Sequence, residues 1–217
     1  MKKIGILGSG SVAKTLGNGF LKHGYKVMLG SREVSKLAAW QEQSGGKGKV
    51  GSFADAAKFG DVLVLAVKGK HAKDVLKLAG SRRIKDKVVL DATNPIDESE
   101  GPKNGALRFF TKANTSLMEQ LQKALPNARF VKAFNSVGAG LMVNPQFPEG
   151  DKPTMFICGN DADAKATATA ILEQFGWETE DAGMAESAGC IEQLCILWCA
   201  PGFLRNQWTH AFKLLKM

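Results

Sequence analysis

The sequence predicts an α/β fold: a doubly wound, mostly parallel sheet with a short C-terminal helical appendage. Three observations predict it. Residues 1–32 read as strand, glycine turn, helix and strand. Apolar runs of strand length then alternate with helical spacing along most of the chain. Residues 61–67 are apolar nearly throughout, as a central parallel strand buried on both faces must be.

Ile4, Gly5, Ile6 and Leu7 form the first strand after Lys2 and Lys3. Gly8-Ser9-Gly10-Ser11-Val12-Ala13 follows. This is a G-x-G-x-x-A sequence opening into a helical pattern with Val12, Ala13, Leu16 and Phe20 on one face. Gly8 permits a sharp turn off the strand. Gly10 has no Cβ, so a pyrophosphate can approach the backbone, and Ala13 lets the helix lie close on the sheet. The helix N-terminus offers free N–H groups and the positive end of its dipole to phosphates. The stretch therefore predicts a Rossmann-type dinucleotide site, with Gly8, Ser9, Gly10, Ser11 and Val12 on its phosphate side.

Gly24 stops this helix, Val27, Met28 and Leu29 form the second strand, and Gly30-Ser31-Arg32 ends it. An Asp or Glu here would accept hydrogen bonds from a ribose 2′-hydroxyl, the NAD pattern. Ser31 and Arg32 suit a 2′-phosphate instead, with Lys36 one helical turn further on. Glu33, the only acid nearby, is expected to face away. The expected cofactor is NADP(H).

Residues 35–43 read as a second helix and 45–48 as a flexible loop. A short third strand begins at Val50, and Ser52 with Asp55 forms a capping box for a short helix through Lys58. Beyond the fourth strand, Ala66, Val67 and Lys68 reach the carboxyl edge of the sheet, where ligands bind in open α/β folds. His71 either touches the cofactor or caps the next helix, whose inner face carries Ala72, Val75, Leu76 and Ala79.

Residues 88–92 make the fifth strand, ending in Thr93-Asn94-Pro95. Asn94 and Pro95 either meet a nicotinamide carboxamide or form a simple turn. Residues 97–111 make a long polar loop of the kind that serves as a lid. Residues 116–125 are helical, and 129–134 form the sixth strand, with Ala133 and Asn135 at its end. Asn135 is the leading candidate for a group near the reacting rings, and His71 the second. No acid–base pair appears among the strand endings.

Residues 154–158 read as a strand, 161–175 as a helix capped by Asn160 or Asp161, and 179–182 as a last strand. Residues 186–199 form a helix apolar on most sides, broken by Pro201-Gly202, and 203–216 a final helix. A helix apolar all round must be buried, by a dimer contact, a substrate wall or both. Residues 1–183 are thus expected to form the cofactor domain with added strands. Residues 184–217 would close its crevice or join two copies.

Of 217 residues, 44% are hydrophobic and 23% charged, which suits an ordinary soluble protein with a real core. The net charge of +8 is spread over scattered lysines without interleaved aromatics, so no nucleic-acid surface is expected. An anionic cofactor accounts for part of it. Lys14 interrupts any signal-peptide reading of the start, and no stretch reads as long enough to span a bilayer. Cys158, Cys190, Cys195 and Cys199 lack any C-x-x-C spacing. Buried free thiols in a cytoplasmic protein are expected, and no metal site.

With these residues in place, the chain resembles the coenzyme F420-dependent NADP oxidoreductases over nearly its whole length. The likeness runs through residues 8–13, Gly30-Ser31-Arg32, Val131-Lys132-Ala133-Phe134-Asn135, Ile157-Cys158-Gly159-Asn160 and Asp181-Ala182-Gly183. The chain is also similar to the cytosolic reductase part of the six-transmembrane metalloreductases, at Phe134-Asn135 and around Leu197-Trp198, without their membrane domain. The resemblance implies a cytoplasmic, homodimeric NADPH-dependent oxidoreductase. It would pass hydride between NADP(H) and a small-molecule acceptor, a flavin or a deazaflavin such as F420. One departure matters: Asn135 stands where deazaflavin-using members place His, and Asn94-Pro95 differs from their strand ending. A dehydrogenase or imine reductase is the alternative, but too few residues follow the last strand for the helical domain those enzymes add. A non-catalytic NADPH sensor is the third reading.

Overall fold

The computed structural model describes residues 2–217, so Met1 of the opening stretch lies outside the described residues. β1 (Lys3–Leu7), α1 (Ser11–Lys22) and β2 (Lys26–Gly30) form the first unit. α2 (Ala38–Gln43), β3 (Gly48–Gly51), α3 (Phe53–Phe59) and β4 (Val62–Leu65) follow. Next come α4 (Ala72–Ala79), α5 (Ser81–Ile84), β5 (Val88–Asp91), α6 (Leu117–Ala124) and β6 (Arg129–Lys132). The order β3-β2-β1-β4-β5-β6, parallel throughout, winds outward from β1 in both directions. This is the doubly wound arrangement expected, with its switch point between β1 and β4.

β7 (Thr154–Ile157), α7 (Ala162–Gln174), β8 (Glu178–Asp181) and α8 (Ala188–Arg205) complete the chain. β7 and β8 pair as a small parallel sheet of their own. Strand alternation divides the core into two layers. Ile4, Ile6, Val64 and Leu90 face Leu16 and Phe20 of α1 and Ile171 and Leu172 of α7. Leu7, Leu63, Leu65 and Val89 face α3, α4 and α6. Ser52 with Asp55 and Ser116 with Glu119 form full capping boxes, and Asp161 caps α7 through the Ala164 N–H at 2.7 Å.

Several local expectations are corrected. The second helix starts as a 3₁₀ turn (Val34–Leu37) before α2. Gly48 is no loop residue: it is buried in β3 under the Trp40 ring, which would lie 2.3 Å from a Cβ there.

The C-terminus differs most. α8 continues through Pro201 and ends only at Asn206, which is left-handed at φ 53°. No final helix follows. Trp208 folds back over Gly202, leaving no room for a Cβ there, and residues beyond it run as an extended strap along β7. The Thr154 N–H donates to the Phe212 carbonyl at 2.8 Å, and Lys213 pairs with Glu178 at 2.7 Å. The strap thus gives the Thr154 N–H of β7 an acceptor, and the Leu214 N–H donates in turn to the Thr154 hydroxyl at 3.1 Å.

Nor is α8 buried all round. Only about a third of its most apolar stretch is buried, and Cys190, Gln193, Leu197, Phe203 and Leu204 are exposed. By length and composition Ala185–Arg205 also reaches what a membrane span requires, at mean hydropathy 1.3, contrary to the expectation for the chain. Cys158 and Cys195 are buried free thiols, and burial pushes the Cys158 thiol up to about 12; Cys190 is exposed.

Candidate functional site

The carboxyl ends of β1, β2, β4 and β5 open onto one cleft of about 550 Å³. Ser9, Gly10, Ser11 and Val12 line one part of it, Ser31, Arg32 and Lys36 another, and Ala66, Val67, Lys68, His71 and Asn94 a third. Gly8 lies beneath this surface, where a Cβ would sit 2.2 Å from the Ala66 carbonyl oxygen. Around Gly10 the reverse holds: no atom lies within 4 Å of the position its Cβ would take. α1 starts there with no side-chain cap and no acid in its first turn. Its first N–H groups and dipole end therefore face a space that fits an anion.

The basic end of the cleft is built by the end of β2. Ser31 is 5% exposed; its Oγ donates to Ser9 Oγ at 3.4 Å and accepts from the Glu33 N–H at 3.2 Å. The hydroxyl thus ties β2 to the glycine turn. Arg32 is exposed and makes no ion pair among the described residues. Glu33 does not face away: it lines the cleft and pairs with Lys36 at 2.6 Å. The 3₁₀ start of the second helix brings Glu33 and Lys36 together, where a regular helix would separate them more. A carboxylate here opposes any phosphate bound by Lys36. Glu33→Gln is expected to tighten NADPH binding several-fold and leave NADH binding unchanged, as titration of both cofactors would show.

At the other end Glu98 bridges Lys68, at 2.6 Å, and Lys70. Hydrogen bonds from these lysines hold the Glu98 carboxyl below the usual glutamate value, so the bridge persists through the usual glutamate range and opens only as pH falls below it. The loop carrying Glu98 is folded back on itself by an Ile96–Phe109 bridge and an Asp97 N–H to Arg108 carbonyl bond of 2.8 Å. His71 makes no cap bond to α4 and lines the cleft.

Pro95, Ala133 and Asn135 lie outside the lining. Asn135 is 4% exposed; its Nδ2 donates to Asn94 Oδ1 at 3.1 Å and to the Ile191 carbonyl at 2.9 Å. Asn94 Nδ2 returns a 2.7 Å bond to the Asn135 carbonyl. Asn135 Oδ1 is buried without a partner. Phe134, just before it, holds φ at 64° while 1% exposed. A bulky residue held there stores about 1–3 kcal/mol of strain, a pattern that clusters at functional sites.

Sequence reasoning missed the group beneath this pair. Lys132, Asp91 and Glu192 are at most 1% exposed. Lys132 Nζ donates to Asp91 Oδ2 at 2.6 Å, Glu192 Oε1 at 2.9 Å and the Thr93 carbonyl at 2.9 Å. Burial alone would lower the Lys132 pKa, but Asp91 and Glu192 outweigh it and raise it. A signal existed: Asp91 and Lys132 each put a charge into an otherwise apolar strand, in register with one another, and Glu192 is a lone acid among apolar neighbours. Also missed were Phe53, Gly69, Val75, Ala92, Ile96 and Glu98.

Residues 3–95 match the family model described as NADP oxidoreductase coenzyme F420-dependent. Over those residues the chain is similar to that family. It is 28% identical to the F420-dependent NADP reductase of Methanothermobacter thermautotrophicus, covering 91% of this chain and 87% of that one. It is 27% identical to the metalloreductase STEAP3 of Rattus norvegicus over 93% of this chain, which spans only 39% of that relative's length. A crystal structure from Arthrobacter sp. FB24, provisionally described as an F420-dependent NADP reductase, superposes at a TM-score of 0.92 with 29% identity and full coverage of both chains. A reductive aminase from Aspergillus terreus solved with NADPH shares the fold at a TM-score of 0.67 and 15% identity, covering 94% of this chain and 62% of that one.

Proposed function

We propose that this protein is an NADPH-dependent oxidoreductase passing hydride between NADP(H) and a flavin or deazaflavin. One observation carries the reading: an uncapped helix N-terminus and an unpaired arginine share one cleft at the switch point of the sheet. Ser9, Gly10, Ser11 and Val12 would hold the pyrophosphate, and Ser31, Arg32 and Lys36 the 2′-phosphate. Ala66, Val67, Lys68, His71 and Asn94 would flank the nicotinamide, backed by Pro95, Ala133 and Asn135. The nicotinamide ring supplies or takes the hydride. The protein orients it and excludes water, and no side-chain proton relay is required when the acceptor carries its own electronics. Names of the relatives support this reading, being NADP reductases and a metalloreductase.

Residues 184–217 would then close the acceptor side and join two copies in a cytoplasmic homodimer. Free cysteines suit that compartment. Cys190, Leu194, Leu197 and Leu204 lie along one seam of α8, and Leu197 and Leu204 are 60% and 56% exposed. Leu197→Asp is expected to yield monomers by light scattering where the wild type is dimeric; a monomeric wild type would refute the dimer.

The hydride reading is tested by mixing the protein with NADPH and separate flavin, deazaflavin, quinone and imine acceptors, following NADPH absorbance. Turnover with a tricyclic acceptor supports it. Turnover confined to imines would favour a dehydrogenase-type enzyme, and none with any acceptor a sensor.

A further inference from the structure

We propose that Lys132, Asp91 and Glu192 form a buried positioning network that fixes the Thr93-Asn94 turn against α8 and so sets how the nicotinamide end of the cofactor lies. The proposal rests on the cofactor reading above.

The geometry leaves no spare group in this network. All three Lys132 protons are used, on two carboxylates and the Thr93 carbonyl. Asp91 Oδ1 accepts from both the Thr93 N–H, at 3.0 Å, and its hydroxyl, at 2.7 Å. Thr93 is therefore gripped at its N–H, hydroxyl and carbonyl by two side chains from below. The next residue, Asn94, lines the cleft. From the other side, Glu192 accepts from the Leu117 N–H at 2.9 Å and the Met118 N–H at 3.1 Å, so it also caps α6. Its neighbour Ile191 receives Asn135, which in turn holds Asn94. Two successive residues of α8 thus reach Asn94 by two separate routes.

Apolar side chains of similar size commonly stabilise such a core as well or better. What the charged joint adds is directional: short bonds to named atoms allow one placement of the turn, where an apolar contact tolerates sliding. One ammonium and the positive end of α6 offset most of the charge of the two carboxylates. Because Lys132, Asp91 and Glu192 lie beneath the cleft and not in its lining, they are positioning residues.

The test compares wild type, Glu192→Gln and Thr93→Val in binding NADPH and adenosine 2′,5′-bisphosphate, which lacks the nicotinamide. Affinity is read by calorimetry and ring order by the emission of bound NADPH. Thr93→Val removes one bond and no charge, so it serves if Glu192→Gln does not fold. In the variants, both ligands should bind with wild-type affinity while bound NADPH loses most of its emission enhancement. A displaced ring should also lower kcat by up to about a hundredfold with KM for NADPH unchanged. Full emission in Thr93→Val would overturn the proposal, as would parallel loss of both ligands, which marks a general support of the fold. A wild type that binds neither ligand would instead refute the cofactor reading itself, and the proposal with it.

Discussion

Lys132→Met is expected to destabilise the fold by about 3–5 kcal/mol, because it leaves Asp91 and Glu192 buried without their cation. For a chain of this size that lowers Tm by about 6–20 °C. Methionine fills most of the lysine stem's volume, so the loss is electrostatic and not a cavity effect. The pH dependence separates the two. The variant's deficit is electrostatic and is expected to change with pH. A cavity would give a deficit independent of pH. In the wild type, Lys132 has a raised folded-state pKa, so its contribution is full below the unfolded value of 10.5 and is lost only as pH rises through the folded one. Melting curves of both proteins across the acid, neutral and alkaline ranges check all of this.

Arg32→Ala is expected to abolish most of the preference for NADPH over NADH. Charge-assisted hydrogen bonds contribute about 1.5–3 kcal/mol each. Arg32 is exposed, and ordering its side chain offsets part of the gain. Glu33 opposes the phosphate through Lys36, which reduces it further. A net discrimination of about 2–4 kcal/mol remains, or tens to hundreds of times tighter binding of NADPH. NADH affinity should hardly change on mutation, since NADH never used the contact. Raised salt should weaken NADPH binding more than NADH binding, because the added contact is ionic and near the surface. Equal losses for the two cofactors would show that Arg32 does not read a phosphate.

Local rules carried much of this fold. The six strands of the main sheet stand close to where apolar runs placed them, and the Ser52–Asp55 box and the Asp161 cap form as their spacing predicts. The glycine turn was legible because each small residue answers a local steric demand. What escaped depends on partners distant in sequence. Pro201 looked like a helix end, yet α8 passes through it, and the stop at Asn206 rests on Trp208 packing over Gly202. Residues 203–216 have helical spacing, but Thr154 of β7 binds the strap through its N–H and its hydroxyl, at Phe212 and Leu214. Glu33 was expected on the wrong side and Glu98 was missed because a cleft wall assembled from several elements has no periodicity of its own. Lys132 and Glu192 were missed for a similar reason: each is an oddity alone, and only the register of β5 and β6 under α8 makes them a set.

The proposed reaction is hydride transfer from NADPH to a tricyclic acceptor held beside Asn94. Its most direct test is one stopped-flow comparison: acceptor reduction by NADPH, and by NADPH carrying deuterium at the transferred position. Reduction of a flavin or deazaflavin is expected, measurably slower with the deuterated cofactor. No reduction of either acceptor, or reduction at the same rate with both cofactors when chemistry limits the observed step, would contradict it.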